Sequence, residues 1–499
     1  MKVHLMYRDA DFNMEGDLPV NEKELLQDLE LTTLFDAMAN GDELLFEVAK
    51  RAILSGLTDP EAIEYRQDIL RDCLKNPSVV RELYAISLES VENKRKRWLG
   101  IFSRYPSAIL DGSIRMLQMF VELLRKLKAI ADENVEKFES DGFRTFFAMI
   151  RSELDDEYFA TVQRHLKRLR FSDGVLVSAR LGKGNEGTDY VLRRPNEDSK
   201  SWIKRVVSRK PPSYSFYINP RDEHGAMALS ELRDRGINLV ANAVAQSADH
   251  IDSFFEMMRV ELAFYVGCLN LYEKLSSIGA SVCFPTPSVS GERVHSFDGL
   301  YDVSLALTMG RQVVGNDINA NGKKLCIITG ANQGGKSTFL RSIGLSQLMM
   351  QSGMFVGARS FSANVCEGLF THYRREEDTT MESGKLDEEL KRMSDIVDNI
   401  TPNSMILFNE SFAATNEREG SEIARQIVNA LLDRGIKVFF VTHLYEFAHS
   451  FSNRGMGDAI FLRAERKKDG TRTFKLIEAE PLSTSYGEDL YEKIFVAKN

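Results

Sequence analysis

A glycine-rich loop that ends in a lysine is the strongest chemical signal in this 499-residue sequence. An apolar strand, residues 323–329, leads into a run with the spacing G-x-x-x-x-G-K-S, and a helical pattern follows it. Glycines let successive backbone N–H groups face one polyphosphate, and the helix dipole adds positive potential there. Lys336 can contact the β- and γ-phosphates, and the Ser337 hydroxyl can ligate Mg²⁺. We therefore predict a nucleotide site, rather than a structural turn, at Gly330, Ala331, Asn332, Gln333, Gly334, Gly335, Lys336, Ser337 and Thr338.

A second apolar strand ends in residues suited to phosphate chemistry. The strand Met405–Phe408 leads to Asn409 and Glu410. Most P-loop NTPases carry Asp at the first of these positions to organise Mg²⁺, so the neutral oxygen of Asn409 predicts weaker metal affinity. Glu410 would lie beside the γ-phosphate, where it could orient or deprotonate the attacking water. The alternative is an exposed acid at the end of a strand.

A third apolar strand, residues 436–441, leads to His443. If this strand is parallel to the P-loop strand, His443 lies at the ligand edge of an open α/β sheet. We then predict that it senses the γ-phosphate; a structural histidine is the alternative. Ser383 precedes another helical pattern, residues 386–400. It is either the N-cap of that helix or a hydroxyl that reaches a phosphate held by a second subunit.

The part of the chain that must position these strands is predicted to be helical up to about residue 170. Thr58-Asp59-Pro60-Glu61 is typical of a helix start, with a capping side chain, a proline in the first turn and an acid near the positive end. Apolar residues recur at helical spacing up to Asn76-Pro77, again over residues 114–127 and 146–154, and finally over residues 227–275. We expect bundles or long levers without chemistry of their own.

A basic segment interrupts this helical array. Residues 163–210 contain 13 Lys and Arg residues against five Asp and Glu residues, although the whole chain carries −9. Two strand-like stretches, residues 175–179 and 190–192, flank Gly-rich turns. The excess charge is either a solvated face or a contact for a nucleic-acid backbone, because basic side chains neutralise phosphates. The candidate DNA contacts are Arg193, Arg194, Lys204, Arg205 and Arg209.

Composition narrows the class of protein. The length predicts about three domains of roughly 150 residues each, and a hydrophobic content of 43% excludes wholesale disorder. No stretch approaches the roughly 18 apolar residues of a membrane span, and the first residues lack the pattern of a secretory signal. Five scattered cysteines without a C-x-x-C pair favour reduced thiols over a zinc site. We expect a cytoplasmic protein with no membrane partner.

The sequence resembles the MutS family of DNA mismatch-repair ATPases, most strongly over residues 284–488. The resemblance rests on Ile328–Thr338, Asn316-Asp317-Ile318, Thr442-His443 and Ser485-Tyr486-Gly487. It implies a multi-domain fold in which helical levers with a small β-containing clamp precede an α/β P-loop (ABC-type) ATPase domain. The expected segments are a helical lever region at 1–162, a basic clamp-like insert at 163–225, a helical return at 226–280 and the ATPase domain at 281–499.

The resemblance also implies roles for single residues and for partners. The P-loop run would bind ATP together with Asn316, and Ser337 and Asn409 would hold Mg²⁺. Glu410 is similar to the family's catalytic glutamate and His443 to its switch histidine. Members are ATPases whose two sites are each completed by the other subunit, so a homodimer is implied. The residues expected to act across that dimer are Ser383 and Thr415.

Some positions depart from the family pattern. Asn409 replaces the usual Asp, residues 411–414 replace a Gly- and Arg-containing segment, and Val313 stands where many members have a base-stacking aromatic. We expect no mismatch-reading domain before the levers, because there is no room for one ahead of them. The Phe254-Phe255-Glu256 string matches the Phe-x-Glu pattern of that domain only by accident, since it falls in a predicted helix. We therefore expect DNA binding directed by backbone or structure, in repair or recombination, with repair proteins as candidate partners. The rival is a nucleotide-dependent interaction scaffold that hydrolyses ATP poorly; a transporter ATPase would leave the first 280 residues unexplained.

Overall fold

The computed structural model describes residues 1–97, 105–172, 174–194, 215, 217–219, 221–375, 384–467 and 469–482. The predictions for Lys204, Arg205, Arg209, Ser383 and residues 485–487 lie outside these ranges. The chain forms two compact units. The first comprises Met1–Val3, Glu82–Val135 and Phe146–Arg259, and the second comprises His4–Arg81, Glu136–Thr145 and Val260–Asn499.

Helices fill most of the described chain before residue 280, as predicted. They are α1 (Glu22–Asp28), α2 (Leu31–Ala39), α3 (Glu43–Leu54), α4 (Pro60–Lys75), α5 (Pro77–Arg97), α6 (Pro106–Asn134), α7 (Asp141–Glu153), α8 (Asp156–Leu169) and α9 (Glu223–Ser277). The predicted start of α4 is confirmed, because the Asp59 carboxylate accepts a hydrogen bond from the Glu61 N–H at 3.1 Å. Over the described residues, these helices lack the length or the apolar run needed to cross a bilayer.

The first unit combines a helical core with a small hairpin. Its core includes Phe120 on α6, whose ring stacks on Phe255 of α9 with 5.8 Å between centroids, and Phe146 on α7, whose ring stacks on Phe254 at 6.5 Å. The Phe-Phe-Glu string therefore lies inside a helix, as expected. Two antiparallel strands, β1 (Val177–Leu181) and β2 (Gly187–Leu192), form the hairpin in the predicted basic segment.

The second unit contains two sheets and the remaining described helices. A four-stranded sheet has the order β3-β7-β4-β5, and a six-stranded sheet has the order β12-β11-β6-β10-β9-β8. The strands are β3 (Thr286–Ser288), β4 (His295–Leu300), β5 (Asn316–Asn319), β6 (Leu325–Gly330), β7 (Ser360–Asn364), β8 (Leu369–Tyr373), β9 (Met405–Asn409), β10 (Lys437–Val441), β11 (Ala459–Arg466) and β12 (Arg472–Glu478). The helices are α10 (Val303–Met309), α11 (Lys336–Gln351), α12 (Lys385–Asn399), α13 (Glu417–Asp433) and α14 (Tyr445–Ser452).

The six-stranded sheet brings the predicted site residues to one edge. Strands β8, β9, β10, β6 and β11 are parallel, and β12 closes the sheet antiparallel to β11. All six residues of β6 are buried, as expected of a central strand covered on both faces. Val441 of β10 pairs with Ile328 of β6 and with Asn409 of β9. The P-loop, Glu410 and His443 therefore follow the carboxyl ends of adjacent parallel strands, where open α/β sheets bind ligands.

Residues near the amino terminus belong to this second unit. The Asp28 carboxylate on α1 forms an ion pair with Arg375 at 2.6 Å. Arg341 on α11 forms ion pairs with Glu30 and with Asp302. The sequence analysis placed residues 1–162 in one helical region, whereas residues 4–81 share a compact unit with the P-loop. The functional boundaries at 162, 225 and 280 stay predictions.

Candidate nucleotide site

Lys336 is held inside the loop that connects β6 to α11. Its Nζ donates hydrogen bonds to the carbonyl oxygens of Gly330 and Ala331, both at 3.1 Å, and lies 3.4 Å from Nε2 of His443. Burial lowers the pKa of Lys336 to about 8, and the nearby Glu410 carboxylate partly opposes that shift. The buried ammonium thus has two carbonyl partners and the Glu410 carboxylate nearby, and an incoming phosphate would stabilise its charged form further.

The backbone of this loop needs its glycines. Gly330 has φ 109° and Gly335 has φ 88°, values that only glycine adopts without strain. A Cβ on Gly334 would lie 2.7 Å from the Ala464 Cβ and 2.9 Å from the Ala331 oxygen. Because β11 approaches so closely, the loop cannot widen on that side. This tight course leads directly into the amino end of α11, which favours anions.

The two side-chain oxygens that were predicted to bind Mg²⁺ lie next to each other. The Ser337 hydroxyl donates a hydrogen bond to Oδ1 of Asn409 at 2.9 Å. Magnesium is usually held by few protein oxygens, with phosphates and water completing its octahedron, so this pair fits the ion. Asn409 brings an oxygen without a charge, and the Ser337–Asn409 pair alone would hold Mg²⁺ weakly. The triphosphate would have to supply most of the negative charge.

Glu410 and His443 form the acidic side of the site. Nε2 of His443 lies 3.0 Å from Oε1 of Glu410. The hydrogen bond from His443 is the main cause that lowers the pKa of Glu410, burial opposes it, and the charges of His443, Lys336 and Arg374 add to the lowering. Glu410 is therefore a carboxylate at neutral pH, able to accept a proton.

One nitrogen of His443 faces both Lys336 and Glu410. A carboxylate only accepts hydrogen bonds, so Nε2 must carry the proton that it donates to Glu410. The same nitrogen then cannot accept from Lys336 at 3.4 Å. A phosphate oxygen that bound Lys336 would remove this poor contact. The Lys336–His443–Glu410 arrangement is thus poised to respond to an anion.

Three other predicted residues have partners elsewhere. The Asn316 amide is buried against β12, where Oδ1 accepts from the Leu476 N–H at 2.7 Å and Nδ2 lies 3.5 Å from the Phe474 oxygen. The Thr415 hydroxyl donates to Glu419 at 2.6 Å in the first turn of α13. The backbone oxygen of Asn332 lies 3.4 Å from Nε of Arg472. The roles predicted for Asn316, Asn332 and Thr415 toward ATP or a second subunit stay predictions.

The remaining loop residues lie around Lys336 with different exposure. Gln333 is exposed with φ 56°, and Thr338 is half-buried in the first turn of α11.

In the first unit, Arg193 and Arg194 are exposed beyond β2, and Nε of Arg193 donates to the Ser178 hydroxyl at 2.8 Å. The structure therefore brings together Lys336, Ser337, Asn409, Glu410 and His443. The DNA contacts predicted at Arg193 and Arg194 stay predictions.

A polar cavity that includes one side chain of β12 was not predicted from the sequence. Its volume is about 160 Å³, and its lining includes Val313, Arg359 and Lys475. Lys475 follows Phe474 in β12, and a Cβ on Gly335 would lie 3.5 Å from the Phe474 Cβ. Residues 330–338 of the P-loop are not part of the lining of the cavity. Val313 was noted as a substitution for an aromatic, but nothing local to Arg359 or Lys475 indicated that they would join it.

Fold and site together define a P-loop ATPase domain. Residues 326–499 match the family model described as MutS domain V, which is an ABC-type ATPase domain. Residues 58–278 match the model described as MutS2 N-terminal domain. The chain therefore belongs to the MutS family, as the resemblance implied.

Individual relatives are distant and longer. The "DNA mismatch repair protein MutS" of Streptococcus mutans is 27% identical over 404 residues, covering 78% of this chain and 46% of that protein. The "MutS protein homolog 4" of Homo sapiens is 22% identical over 401 residues, covering 78% of this chain and 40% of its own length. The "DNA mismatch repair protein MutS" of Desulfosudis oleivorans is 32% identical over 171 residues, covering 33% of this chain and 19% of that protein. The chain spans less than half the length of these curated relatives.

Proposed function

We propose that this protein binds ATP with Mg²⁺ and hydrolyses it. The observation that carries the proposal is the convergence of Lys336, Glu410 and His443 at one sheet edge, with the Ser337–Asn409 pair beside them. Lys336 would bind the phosphates, Glu410 would take a proton from the attacking water, and His443 would hold the Glu410 carboxylate in place. Mg²⁺ bound at Ser337 and Asn409 would neutralise charge on the phosphates.

The test uses two substitutions with different expected effects. Lys336→Ala should abolish nucleotide binding, because the loop loses the buried cation that would contact the phosphates. Glu410→Ala should bind ATP normally and turn it over about 10²- to 10⁴-fold more slowly, since a general base contributes roughly that much. Matched controls are Lys391→Ala and Asp395→Asn, both exposed on α12. Intact turnover in Glu410→Ala would contradict the role given to Glu410.

We further propose that ATP drives a homodimeric clamp that acts on DNA in repair or recombination. Two relatives that carry the printed name "DNA mismatch repair protein MutS" support a DNA partner. The exposed Arg193 and Arg194 beside the hairpin support contact with a phosphate backbone. Ser383 and Thr415 would act across the dimer, and repair proteins would be further partners. ATP and DNA would each favour one clamp state, so each should change the affinity for the other.

Binding to plain, mismatched and branched DNA, with and without ATP, at two salt concentrations tests the clamp. We expect affinity to fall with salt and to depend on ATP, because backbone phosphates dominate such contacts. A flat response to salt would contradict the phosphate contacts. A mass that stays that of one chain with a non-hydrolysable analogue would contradict the dimer.

A nucleotide-dependent scaffold with poor hydrolysis is the second candidate, and Asn409 is the observation that favours it. Its side chain offers Mg²⁺ an amide oxygen already hydrogen-bonded to Ser337 at 2.9 Å. Steady-state hydrolysis with Mg²⁺ and with Mn²⁺, measured beside Asn409→Asp, separates the candidates. Negligible wild-type turnover with a large gain in Asn409→Asp would favour the scaffold. Substantial wild-type turnover would favour the ATPase.

A further inference from the structure

Behind Glu410 lies a buried polar cluster that the proposed mechanism does not use. It consists of His372 on β8, Ser411 directly after Glu410, and Glu389 on α12. Nδ1 of His372 lies 2.7 Å from the Ser411 hydroxyl, and Nε2 lies 3.0 Å from the backbone oxygen of Glu389. The Ser411 hydroxyl is also 2.6 Å from the backbone oxygen of His372. We call these three residues the anchor cluster.

Proton counting fixes the hydrogen-bond directions in the anchor cluster. Burial and the nearby charge of Arg392 lower the pKa of His372 to about 4, so its ring is neutral and carries one proton. A carbonyl oxygen can only accept, so that proton is on Nε2 and is donated to Glu389. Nδ1 is then an acceptor, and the single Ser411 proton is shared between Nδ1 and the His372 oxygen. His372 thus links Ser411 to Glu389.

The carboxylate of Glu389 extends the anchor cluster to Phe412. Oε2 of Glu389 accepts a hydrogen bond from the Phe412 N–H at 2.8 Å. The Phe412 ring stacks on the His372 ring, with 5.2 Å between centroids and 18° between planes. A Cβ on Gly420 would overlap the Phe412 oxygen, so α13 closes the other side of this residue. Phe412 is therefore fixed by a hydrogen bond, a ring contact and a backbone approach.

The fixed residue matters because the segment has an unusual backbone. Glu410 has φ 56° and Phe412 has φ 64°, and neither is a glycine. Residues with side chains avoid this left-handed region, so they keep it only where their surroundings impose it. The Glu410 N–H donates to the Val441 oxygen at 2.9 Å, which holds the other end of the turn. The direction of the Glu410 carboxylate thus depends on contacts made by the next two residues.

We propose that Glu389 and His372 are positioning residues for Glu410, and that they make the aim of its carboxylate depend on the placement of α12. This inference rests on the proposed ATPase function. It adds that hydrolysis is controlled through α12, the helix that carries Glu389. A displacement of α12 would withdraw the Glu389 carboxylate from Phe412, release the left-handed turn and move Glu410 away from the attacking water.

The first experiment compares Glu389→Ala with Glu389→Gln. The Ala variant should lower kcat about 10- to 100-fold, since small misplacement of a reacting group costs about that much, with KM for ATP changed less than twofold. The Gln variant should recover most of kcat, because its amide oxygen can still accept from the Phe412 N–H. Glu388→Ala, on the same helix, is the control and should match the wild type. A raised KM with normal kcat, or no rescue by Gln, would overturn the inference.

A second measurement, hydrogen exchange, tests the inference without relying on ATP hydrolysis. It also shows whether a variant has lost its fold. Hydrogen exchange should show a protected Phe412 amide in the wild type and in Glu389→Gln, and an unprotected one in Glu389→Ala, with the strands β6 and β10 protected in all three. Adding a non-hydrolysable ATP analogue should change exchange in α12 of the wild type and of Glu389→Gln, but not of Glu389→Ala. Unaltered exchange at Phe412 in Glu389→Ala would contradict the anchor.

The two proposals fail in different ways. A wild type that binds ATP without hydrolysing it would contradict the ATPase proposal, and the exchange of Phe412 would still decide whether Glu389 fixes the turn. A wild type that hydrolyses ATP while Glu389→Ala matches Glu388→Ala would contradict this inference alone. A wild type that does not bind ATP would contradict both.

Discussion

The nucleotide edge of the six-stranded sheet and the β1–β2 hairpin show two different ways of arranging charge. At the sheet edge, Lys336 is buried and each charged group lies close to another. On the hairpin, Arg193 and Arg194 are exposed, and Arg180 is 3.8 Å from Asp189 with most of its side chain in solvent. Buried charges act at short range and depend on geometry, whereas exposed charges act additively and are screened by salt. Substitutions at the sheet edge should therefore have effects that depend on local geometry, whereas substitutions on the hairpin should have additive effects that weaken with salt.

Among variants that keep Lys336 and Glu410, the largest expected effect at the sheet edge comes from His443→Ala. Without its hydrogen bond, Glu410 loses the group that orients it, and kcat should fall roughly 100-fold, with ATP binding within a few-fold of the wild type. The pKa of Glu410 should rise, since that hydrogen bond is the main cause that lowers it. His443→Gln keeps a donor and should be less impaired. His449→Ala, exposed on α14, is the control. Equal losses of kcat in His443→Ala and His449→Ala would contradict the role of His443 in orienting Glu410.

A smaller effect is expected from Gly334→Ala, which changes shape without changing charge. The added Cβ would be 2.7 Å from the Ala464 Cβ, and overpacking of this kind costs about 1–3 kcal/mol. We expect that loss to be shared between the free energy of unfolding and that of nucleotide binding. Urea unfolding with and without ATP measures both. Gly291→Ala is the matched control, because nothing lies within 4 Å of the Cβ it would add.

The pH dependence of ATP binding is a further test of the buried charge at the sheet edge, which differs from the exposed charges of the hairpin. With its pKa lowered from 10.5 to about 8, Lys336 loses its proton above about pH 8 when no nucleotide is bound. A bound phosphate favours the charged form, so binding takes up a proton there. Below about pH 8 the ammonium is already protonated, so the titration of Lys336 should not change the affinity for ATP. Above about pH 8 that affinity should fall by up to about tenfold per pH unit.

Lys336→Arg provides the control for this linkage. The guanidinium stays charged throughout the range, so the variant should lose the slope above pH 8 even if its affinity is lower. Calorimetry in two buffers of different ionisation enthalpy measures the proton uptake directly. Identical slopes for the wild type and Lys336→Arg would show that another group titrates.

The smallest effects are expected on the hairpin. Arg193→Ala and Arg194→Ala should each weaken DNA binding by a few-fold, equally for all sequences, and lower the slope of log affinity against log salt by about 1. ATP hydrolysis without DNA should not change. Arg434→Ala, exposed in the second unit, is the control. A sequence-selective loss in either hairpin variant would indicate base reading instead of phosphate contact.

The parts of the fold that were predictable depend on neighbours in the sequence. The P-loop, the start of α4 at Asp59 and the strand before His443 follow from local spacing and capping. The parallel pairing of β10 with β6, on which the position of His443 depended, is confirmed. Each of these features needs only a short run of residues to be specified.

The features that were missed are contacts between distant residues. Glu389 was interpreted only as part of an amphipathic helix, yet its carboxylate holds Phe412, 23 positions further on. Asn316 was assigned to ATP from the family resemblance, and the sequence did not show that its amide is bonded to β12, 160 positions away. The substitution at residues 411–414 was visible, but the contacts that accompany it were not, because they come from β8, α12 and α13. Single-sequence patterns do not contain such pairings.

The ion pairs of Arg341 and Arg375 set a limit on how the ATPase region can be studied in isolation. Asp28 and Glu30, which partner them, precede the P-loop by about 300 positions, and the Leu29 side chain packs so closely on Gly344 that a Cβ there would lie 2.7 Å from it. A fragment that starts at residue 281 would strip α11 of this cover and leave Arg375 without its carboxylate. Truncations should therefore retain residues 4–81, joined by a linker to the segment that starts at residue 281, if the excised P-loop domain is to stay folded.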